Sequence, residues 1–160
     1  MKEVNVIKYN EDKYEEKEKM KSIYYPNYTF EIELEIKRVL GKSKHLKRYV
    51  TVDLLRNRAL LADSFPVIES CEIDEEKLLP TIIGYEKALA QAKKKAFHSI
   101  LTKVMTFYGP DYNIIQEEKV YKEFLIREND DLVEIIDTVT GDIEETDEII
   151  LPNNQLKTVS

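Results

Sequence analysis

The sequence predicts an α+β fold in which two antiparallel hairpin or meander units pack with one long amphipathic helix. Apolar and charged residues alternate with a period of two over residues 29–40, a pattern typical of a strand with one buried face. Apolar residues recur every three or four positions over residues 84–108, which is typical of a helix lying on a core. Because strands are predicted both before and after the helix, antiparallel pairing is favoured over a parallel βαβ sheet.

The first unit, residues 23–68, is predicted to be a three-stranded antiparallel meander. Its strands are predicted at 29–40, 46–55 and 59–62. The first strand buries alternate apolar residues, which are Phe30, Ile32, Leu34 and Ile36. Glu31, Glu33 and Glu35 occupy the opposite face, where we expect weak pairing with Lys47 of the neighbouring strand.

The stretch before this unit, residues 1–22, is predicted to be a charged N-terminal arm. Within it, residues 4–9 are predicted to form a short strand. Residues 10–22 are predicted to be either an exposed helix with mixed charge pairs or a disordered segment, because they are almost all charged. After the meander, residues 63–80 contain prolines, turn formers and acids, and they are predicted to connect the two halves.

A single domain is predicted over residues 23–151, with the helix at 84–108 in its middle. Gly109 and Pro110 are expected to end that helix. A second hairpin is predicted over residues 119–147. The last residues, 152–160, are polar and are predicted to form a flexible tail.

One segment of the first unit has a weak second copy, because residues 51–63 align with residues 135–147. The alignment places Asp53 on Asp137, Asn57 on Gly141 and Asp63 on Asp147. Asn and Gly are the residues that best tolerate a left-handed backbone, so the two segments are predicted to contain matching turns. The copies carry opposite charge. The pattern indicates an internal repeat, a duplicated hairpin-like unit whose copies diverged in charge.

Charge is distributed unevenly along the chain, whose net charge is −7. Residues 128–148 contain ten Asp and Glu and no Lys or Arg, whereas residues 37–58 contain eight Lys and Arg and one Asp. Such asymmetry bears on partners and association, not on the fold.

Composition also limits the class of protein and its location. A single cysteine, Cys71, excludes an internal disulfide, and no Cys/His spacing predicts a structural zinc site. The first residues contain no secretory signal, and no stretch approaches the ~20 apolar residues of a membrane span. We therefore expect a soluble cytoplasmic protein with no membrane partner.

Three tyrosines form the first candidate binding site. Tyr24, Tyr25 and Tyr28 lie within five residues and are predicted to form a compact amphipathic patch suited to a protein interface. The alternative is that these rings cap the end of the sheet.

Basic residues of the first meander form the second candidate site. Lys42, Lys44, Lys47 and Arg48 lie in the basic hairpin 37–58, where they are suited to contacts with phosphates. Two alternatives remain, an ordinary solvated surface and pairing with the acidic second hairpin within the chain or across a dimer.

Catalytic and metal-binding patterns are weak. Glu35-Ile36-Lys37 has the Glu-x-Lys form used by metal-dependent nucleases, but the aspartate such chemistry needs upstream is represented only by Asp12. The acidic stretch lacks the ligand spacing of an EF-hand loop, and the four glycines are too scattered for a phosphate-binding loop. His45 and His98 have no evident catalytic partner. No catalytic residue, metal ligand or cofactor is predicted.

These observations favour a non-enzymatic binding or accessory protein that acts through protein–protein contacts. The alternative is a nucleic-acid-binding component that uses the basic hairpin 37–58, and a metal-dependent nuclease is a third hypothesis. The predicted partner is a protein, with nucleic acid and a second copy of the chain as further candidates.

Overall fold

A computed structural model describes residues 1–15, 17–38, 41–101, 109–129, 132–146, 148–150 and 156–158. These residues form an α+β fold with one α-helix, α1 (Tyr85–Ile100), and short 3-10 turns at Glu11–Lys13, Lys17–Lys19 and Glu75–Lys77. The strands are β1 (Lys2–Ile7), β2 (Lys21–Ile36), β3 (Lys44–Asp53), β4 (Arg58–Ala62), β5 (Ile68–Ile73), β6 (Asp111–Asn129), β7 (Leu132–Asp137), β8 (Ile143–Thr146), β9 (Glu148–Ile150) and β10 (Leu156–Thr158).

Strands β1 to β8 form one largely antiparallel sheet. Its order is β4-β3-β2-β6-β1-β5. Strand β7 lies outside this order and pairs with β6 and with β8. The contact between β1 and β6 is parallel. Strands β9 and β10 pair antiparallel in a separate two-stranded sheet, so part of the tail predicted to be flexible lies in a strand. Within the residues described, no helix is long and apolar enough to cross a membrane.

The chain divides into two compact units, each built from separate segments. The first unit contains Met1–Pro26, Val67–Thr81 and Val120–Ser160. The second unit contains Asn27–Pro66 and Ile82–Lys119. The predicted single domain over residues 23–151 and the cytoplasmic location stay predictions.

The second unit has a core between the sheet and α1, as the two periodicities predict. The buried face of β2 consists of Phe30, Ile32, Leu34 and Ile36, and the buried face of α1 consists of Ala88, Ala92, Ala96 and Ile100. Small alanines allow the helix to lie close to the strands, while Ile100 fills the space at its end. The predicted continuation of the helix over residues 102–108 lies outside the described residues.

The first unit has a smaller core of its own, built around Val4, Val6, Tyr24 and Tyr121. Its strand β1 begins two residues earlier than predicted and pairs antiparallel with β5. Strand β5 was not predicted, because the segment 63–80 has the composition of a connection. Cross-strand pairing with β1 overrides that weak local preference.

The charged stretch before β2 also differs from prediction. Over the described residues 10–15 and 17–22, two 3-10 turns and the start of β2 at Lys21 stand in place of the predicted exposed helix or disordered segment. Strand β2 also includes Pro26, and β8 extends the second hairpin by a further strand. Segment 1–22 thus supplies β1 and the two turns of the first unit.

The two aligned turns share one hydrogen-bonding geometry. Asn57 has a positive φ of 56° and Gly141 a positive φ of 80°, as the alignment predicts. In each turn the aspartate Oδ1 accepts the backbone N–H groups two and three residues further on. The N–H of Asn57 then donates to the carbonyl oxygen of Asp53 at 3.0 Å, and that of Gly141 to Asp137 at 2.8 Å. Asp53 and Asp137 therefore organise equivalent turns.

Candidate functional site

The most buried carboxylate of the first unit is the centre of a polar cluster. Glu123, on β6, is only 4% exposed. Its Oε2 accepts a hydrogen bond from the Tyr9 hydroxyl at 2.6 Å, and its Oε1 accepts one from the Ser22 hydroxyl at 2.6 Å. The Lys17 ammonium lies 3.4 Å from Oε2. These donors offset the large cost of burying a carboxylate, because hydrogen bonds to a charged acceptor are short and strong.

A second set of contacts attaches the turn after β7 to this cluster. The buried Thr138 hydroxyl donates to the backbone oxygen of Glu123 at 2.6 Å. The Tyr14 hydroxyl lies 2.9 Å from the carbonyl oxygen of Thr138 and 3.2 Å from that of Asp137. The Asp137 carboxylate also pairs with the Lys122 ammonium at 2.5 Å. The turn after β7 therefore contacts β6, and so does the segment with the 3-10 turns Glu11–Lys13 and Lys17–Lys19, called the 3-10 segment below.

The 3-10 segment is ordered by its own local contacts as well. The Asn10 side chain accepts the N–H of Asp12 at 3.1 Å, which caps the first turn. The rings of Tyr9 and Tyr14 meet edge to face at 5.7 Å. The Lys17 ammonium lies 5.0 Å from the centroid of the Tyr9 ring, a cation–π contact. These contacts explain why an almost fully charged segment is folded against the sheet.

The pKa values of the tyrosine and lysine side chains around Glu123 are raised. Burial, followed by the hydrogen bond and the charge of Glu123, raises the pKa of the Tyr9 hydroxyl far above its ordinary value. Burial also raises the pKa of Tyr24. Burial alone would lower the pKa of Lys17, but Glu11 and Glu123 outweigh it, so the net shift is upward. A phenol or amine that acts as a base or nucleophile needs the opposite shift, so this cluster is suited to holding structure.

The three tyrosines predicted to form a docking patch are largely buried. Tyr24 lies in the core of the first unit, and the Tyr25 ring meets the Phe124 ring at 4.7 Å. Tyr28 is half-buried and stacks on Phe30 in the second unit. Burial leaves little of these rings exposed, and the alternative that they cap the end of the sheet also stays a prediction. Docking through the little surface they expose stays a prediction.

Cross-strand pairing on the polar face of the second unit agrees with prediction. Lys47 lies directly opposite Glu33, and its ammonium lies 3.9 Å from Glu31 Oε1. His45 Nδ1 lies 3.5 Å from Glu33 Oε1. Glu31 is buried, whereas the His45–Glu33 pair is partly exposed and contributes little stability. Both pairs balance part of the positive charge on β3.

The remaining basic candidates differ in their surroundings. Arg48 Nε donates to the Ser99 hydroxyl of α1 at 3.0 Å, so this guanidinium is directed toward the helix. Lys42 is exposed in the turn between β2 and β3, and Lys44 is half-buried at the start of β3. Lys42 and Lys44 are therefore better placed than Arg48 to meet a charged partner. Their binding role stays a prediction.

The nuclease-like residues are divided between the two units. Lys37 pairs with Asp111 at 3.2 Å, and Glu35 belongs to the second unit, whereas Asp12 belongs to the first. Across the described ranges, no group of three or more His, Cys, Asp or Glu side chains is arranged to hold a metal ion. The hypothesis stays open to a direct test, in which Glu35→Gln would abolish magnesium-dependent cleavage of DNA or RNA.

Two other residue types considered from the sequence have ordinary surroundings. Burial, then the carboxylate of Glu69, raises the pKa of the Cys71 thiol, as its acidic context predicts. His98 is exposed on α1 beside the ring of Phe97. Neither geometry supplies an activated nucleophile or a base.

Comparison with protein-family models, with curated proteins and with solved structures finds no match to this chain.

The Glu123 cluster was not predicted from the sequence, although one signal exists. Glu123 lies among the apolar residues Tyr121, Phe124 and Leu125, all of which are buried. A carboxylate in such surroundings requires donors, and that requirement could have singled it out. Its partners Tyr9 and Ser22 lie 114 and 101 positions away, so no local pattern identifies them.

Proposed function

We propose that the protein is a non-enzymatic binding protein that acts through contacts with other proteins. The observation that supports this most directly is the division of charge between the two units. The second unit contains fourteen Lys and Arg and nine Asp and Glu, a net charge of +5. The first unit contains ten Lys and Arg and twenty-two Asp and Glu, a net charge of −12. Opposite charge on two compact units is suited to steering and orienting a charged partner.

The side-chain chemistry also supports binding over catalysis. Within the residues described, each tyrosine, lysine or cysteine with a shifted pKa has it raised, away from the nucleophilic form. Glu123, the most buried carboxylate of the first unit, is occupied by hydroxyl donors. A binding protein needs surface complementarity and no such activation.

The proposed contact surface is the basic hairpin of the second unit around Lys42 and Lys44, beside the little surface that the three tyrosines expose. Lys42 is exposed in the connection between β2 and β3, and Lys44 is half-buried at the start of β3. Such a surface would recognise an acidic patch on a partner protein, because opposite potentials guide encounter and orientation.

The test is affinity capture from the native cell, with the lysate divided into nuclease-treated and untreated halves. The double variant Lys42→Glu, Lys44→Glu is compared with wild type and with a matched control, Lys2→Glu, Lys13→Glu, which makes the same charge change on exposed residues of the first unit. We expect a stoichiometric protein that survives nuclease, that the control retains and that the Lys42/Lys44 variant loses. Unchanged capture by the Lys42/Lys44 variant would remove this surface from the proposal.

Nucleic acid is the second candidate partner, supported by the net charge of +5 on the second unit, which the overall net charge of −7 conceals. This candidate predicts partners that disappear after nuclease treatment. It also predicts affinity that falls with salt, with a slope of about −0.9 per phosphate neutralised on duplex DNA. Charge reversal at Lys44 and Lys47 should then weaken binding to any sequence; unaltered affinity would argue decisively against this candidate.

We also infer that the strands β2-β3-β4 and β6-β7-β8 derive from one duplicated unit. Both are sets of three consecutive paired strands joined at the second connection by the same aspartate-centred turn. The registers agree with the alignment, because Val52 pairs with Ala59 and Ile136 pairs with Ile143. Exchanging the turn residues, Asn57→Gly with Gly141→Asn, should change the free energy of unfolding by less than about 1 kcal/mol. A larger loss in urea unfolding would show that the two turns are not equivalent.

A further inference from the structure

The strand sets β2-β3-β4 and β6-β7-β8 each end in an edge strand that carries exposed apolar residues. In the described part of the chain, β4 pairs only with β3, and β8 pairs only with β7. Leu60 and Leu61 of β4 are 52% and 44% exposed, and Ile143 of β8 is 57% exposed. An exposed edge strand with apolar side chains is a template for pairing with another strand.

The hydrogen-bonding groups available on each edge follow from the turn geometry. The N–H of Asp137 donates to the carbonyl oxygen of Asp142 at 2.9 Å, so Asp142 directs its backbone groups toward β7. Backbone groups alternate in direction along an antiparallel strand, so Ile143 and Glu145 direct theirs away from β7. Because the first turn has the same geometry and register, Ala59 and Leu61 direct theirs away from β3.

Charge makes the two edges complementary. Arg58 is exposed in β4, which belongs to the unit with a net charge of +5. Strand β8 belongs to the acidic unit and exposes Glu144 and Glu145. Arg58 of β4 and Glu144 of β8 therefore present opposite charges at the two edges.

We propose that β4 of one molecule pairs antiparallel with β8 of a second copy of this chain. One register pairs the outward backbone groups of Ala59 and Leu61 with those of Glu145 and Ile143 and uses all five residues of β4. In this register Leu60 lies opposite Glu144 and Leu61 lies opposite Ile143. Arg58 then lies on the same face as Glu144 and diagonal to it, within reach of a long side chain. This inference goes beyond the proposed function, because it concerns a different surface and names a second copy as the partner.

Such pairing has a characteristic dependence on protein concentration. One copy contributes β4 and the other contributes β8, so a pair joined by one such contact leaves one edge of each kind open. Contacts of this type extend into chains, or into closed rings when the rotation between copies allows it. The mean mass should therefore rise continuously with concentration, and salt should weaken the association because the charges are exposed.

The experiment is sedimentation velocity over a series of protein concentrations at low and high salt. It compares wild type, Arg58→Glu, Glu144→Arg and an equimolar mixture of these two variants. Lys94→Glu is the matched control, because it makes the same charge change as Arg58→Glu on an exposed residue of α1 in the same unit. Circular dichroism confirms that each variant is folded.

We expect wild type to associate, and each edge variant to associate about tenfold more weakly. The mixture should recover wild-type association. Where β4 of the Arg58→Glu variant meets β8 of the Glu144→Arg variant, the two reversed charges attract each other. Where β4 of the Glu144→Arg variant meets β8 of the Arg58→Glu variant, the native Arg58 and Glu144 attract each other. Recovery cannot come from misfolded proteins, so the mixture also controls for folding. A wild type that stays monomeric at all concentrations would overturn the proposal. So would a mixture that stays dissociated, or a loss with Lys94→Glu equal to that with Arg58→Glu.

Discussion

Replacing Glu123 by glutamine tests whether the buried cluster holds the first unit together. The carboxylate is 4% exposed and accepts two hydroxyl hydrogen bonds at 2.6 Å. Glutamine keeps the shape but places an NH₂ group against one of these donors, so one bond is lost and Lys17 loses its buried counter-charge. A hydrogen bond to a charged group contributes about 1.5–3 kcal/mol. We therefore expect the free energy of unfolding to fall by about 2–4 kcal/mol.

The measurement is urea unfolding followed by circular dichroism, with the midpoint lowered and the slope unchanged. The matched control is Glu118→Gln, an exposed residue of the same strand, which should cost less than about 0.5 kcal/mol. A double-mutant cycle adds the Tyr9 hydroxyl, and Tyr9→Phe should cost less in the Glu123→Gln background than in wild type. If Glu123→Gln behaves like its control, the reasoning that assigns stability to this cluster is refuted.

Three further predictions concern single contacts. The Tyr85 hydroxyl donates to Glu117 at 2.5 Å, and this hydrogen bond is the main cause that raises the pKa of Tyr85 to about 12. Glu117→Gln should return it toward 10.0 in an absorbance titration, and in wild type the contribution of Tyr85 to stability should decline as pH rises from 10.0 to about 12. Asn57→Val and Gly141→Val should each cost about 1–2 kcal/mol in urea unfolding, since a positive φ strains a branched residue; no loss would contradict the turn geometry. Ala92→Leu should cost about 1–3 kcal/mol by overpacking the helix against the sheet, and a stabilised variant would show spare room there.

Elements with strong local periodicity were predictable from the sequence. The alternation through Phe30 and Ile32 specifies which face of β2 is buried, and the spacing of Ala88 and Ala92 specifies the buried face of α1. The alignment of Asn57 with Gly141 also identified two turns with positive φ. Each of these features depends on a few neighbouring residues, whose types limit the local backbone directly.

Elements that depend on distant partners were not predictable. Strand β5 has a weak pattern and forms by pairing with β1, more than sixty residues earlier in the chain. The tyrosines at 24 and 25 have the composition of a surface patch, yet residues distant in sequence, such as Val4 and Phe124, bury them. Amphipathic side chains suit either a core or an interface, so only the arrangement of neighbours decides between the two.

By itself, the sequence determined the α+β class, the buried faces of its clearest strand and helix, and the unequal distribution of charge, because periodicity and charge are properties of local sequence. Only the tertiary structure decided which carboxylate is buried and which strands lie at an edge. Glu123 acquires its donors from residues about a hundred positions away, and β4 and β8 become edges through the strand order of the whole sheet. Long-range pairing follows from the balance of burial and chain entropy over the entire fold, which no short segment encodes.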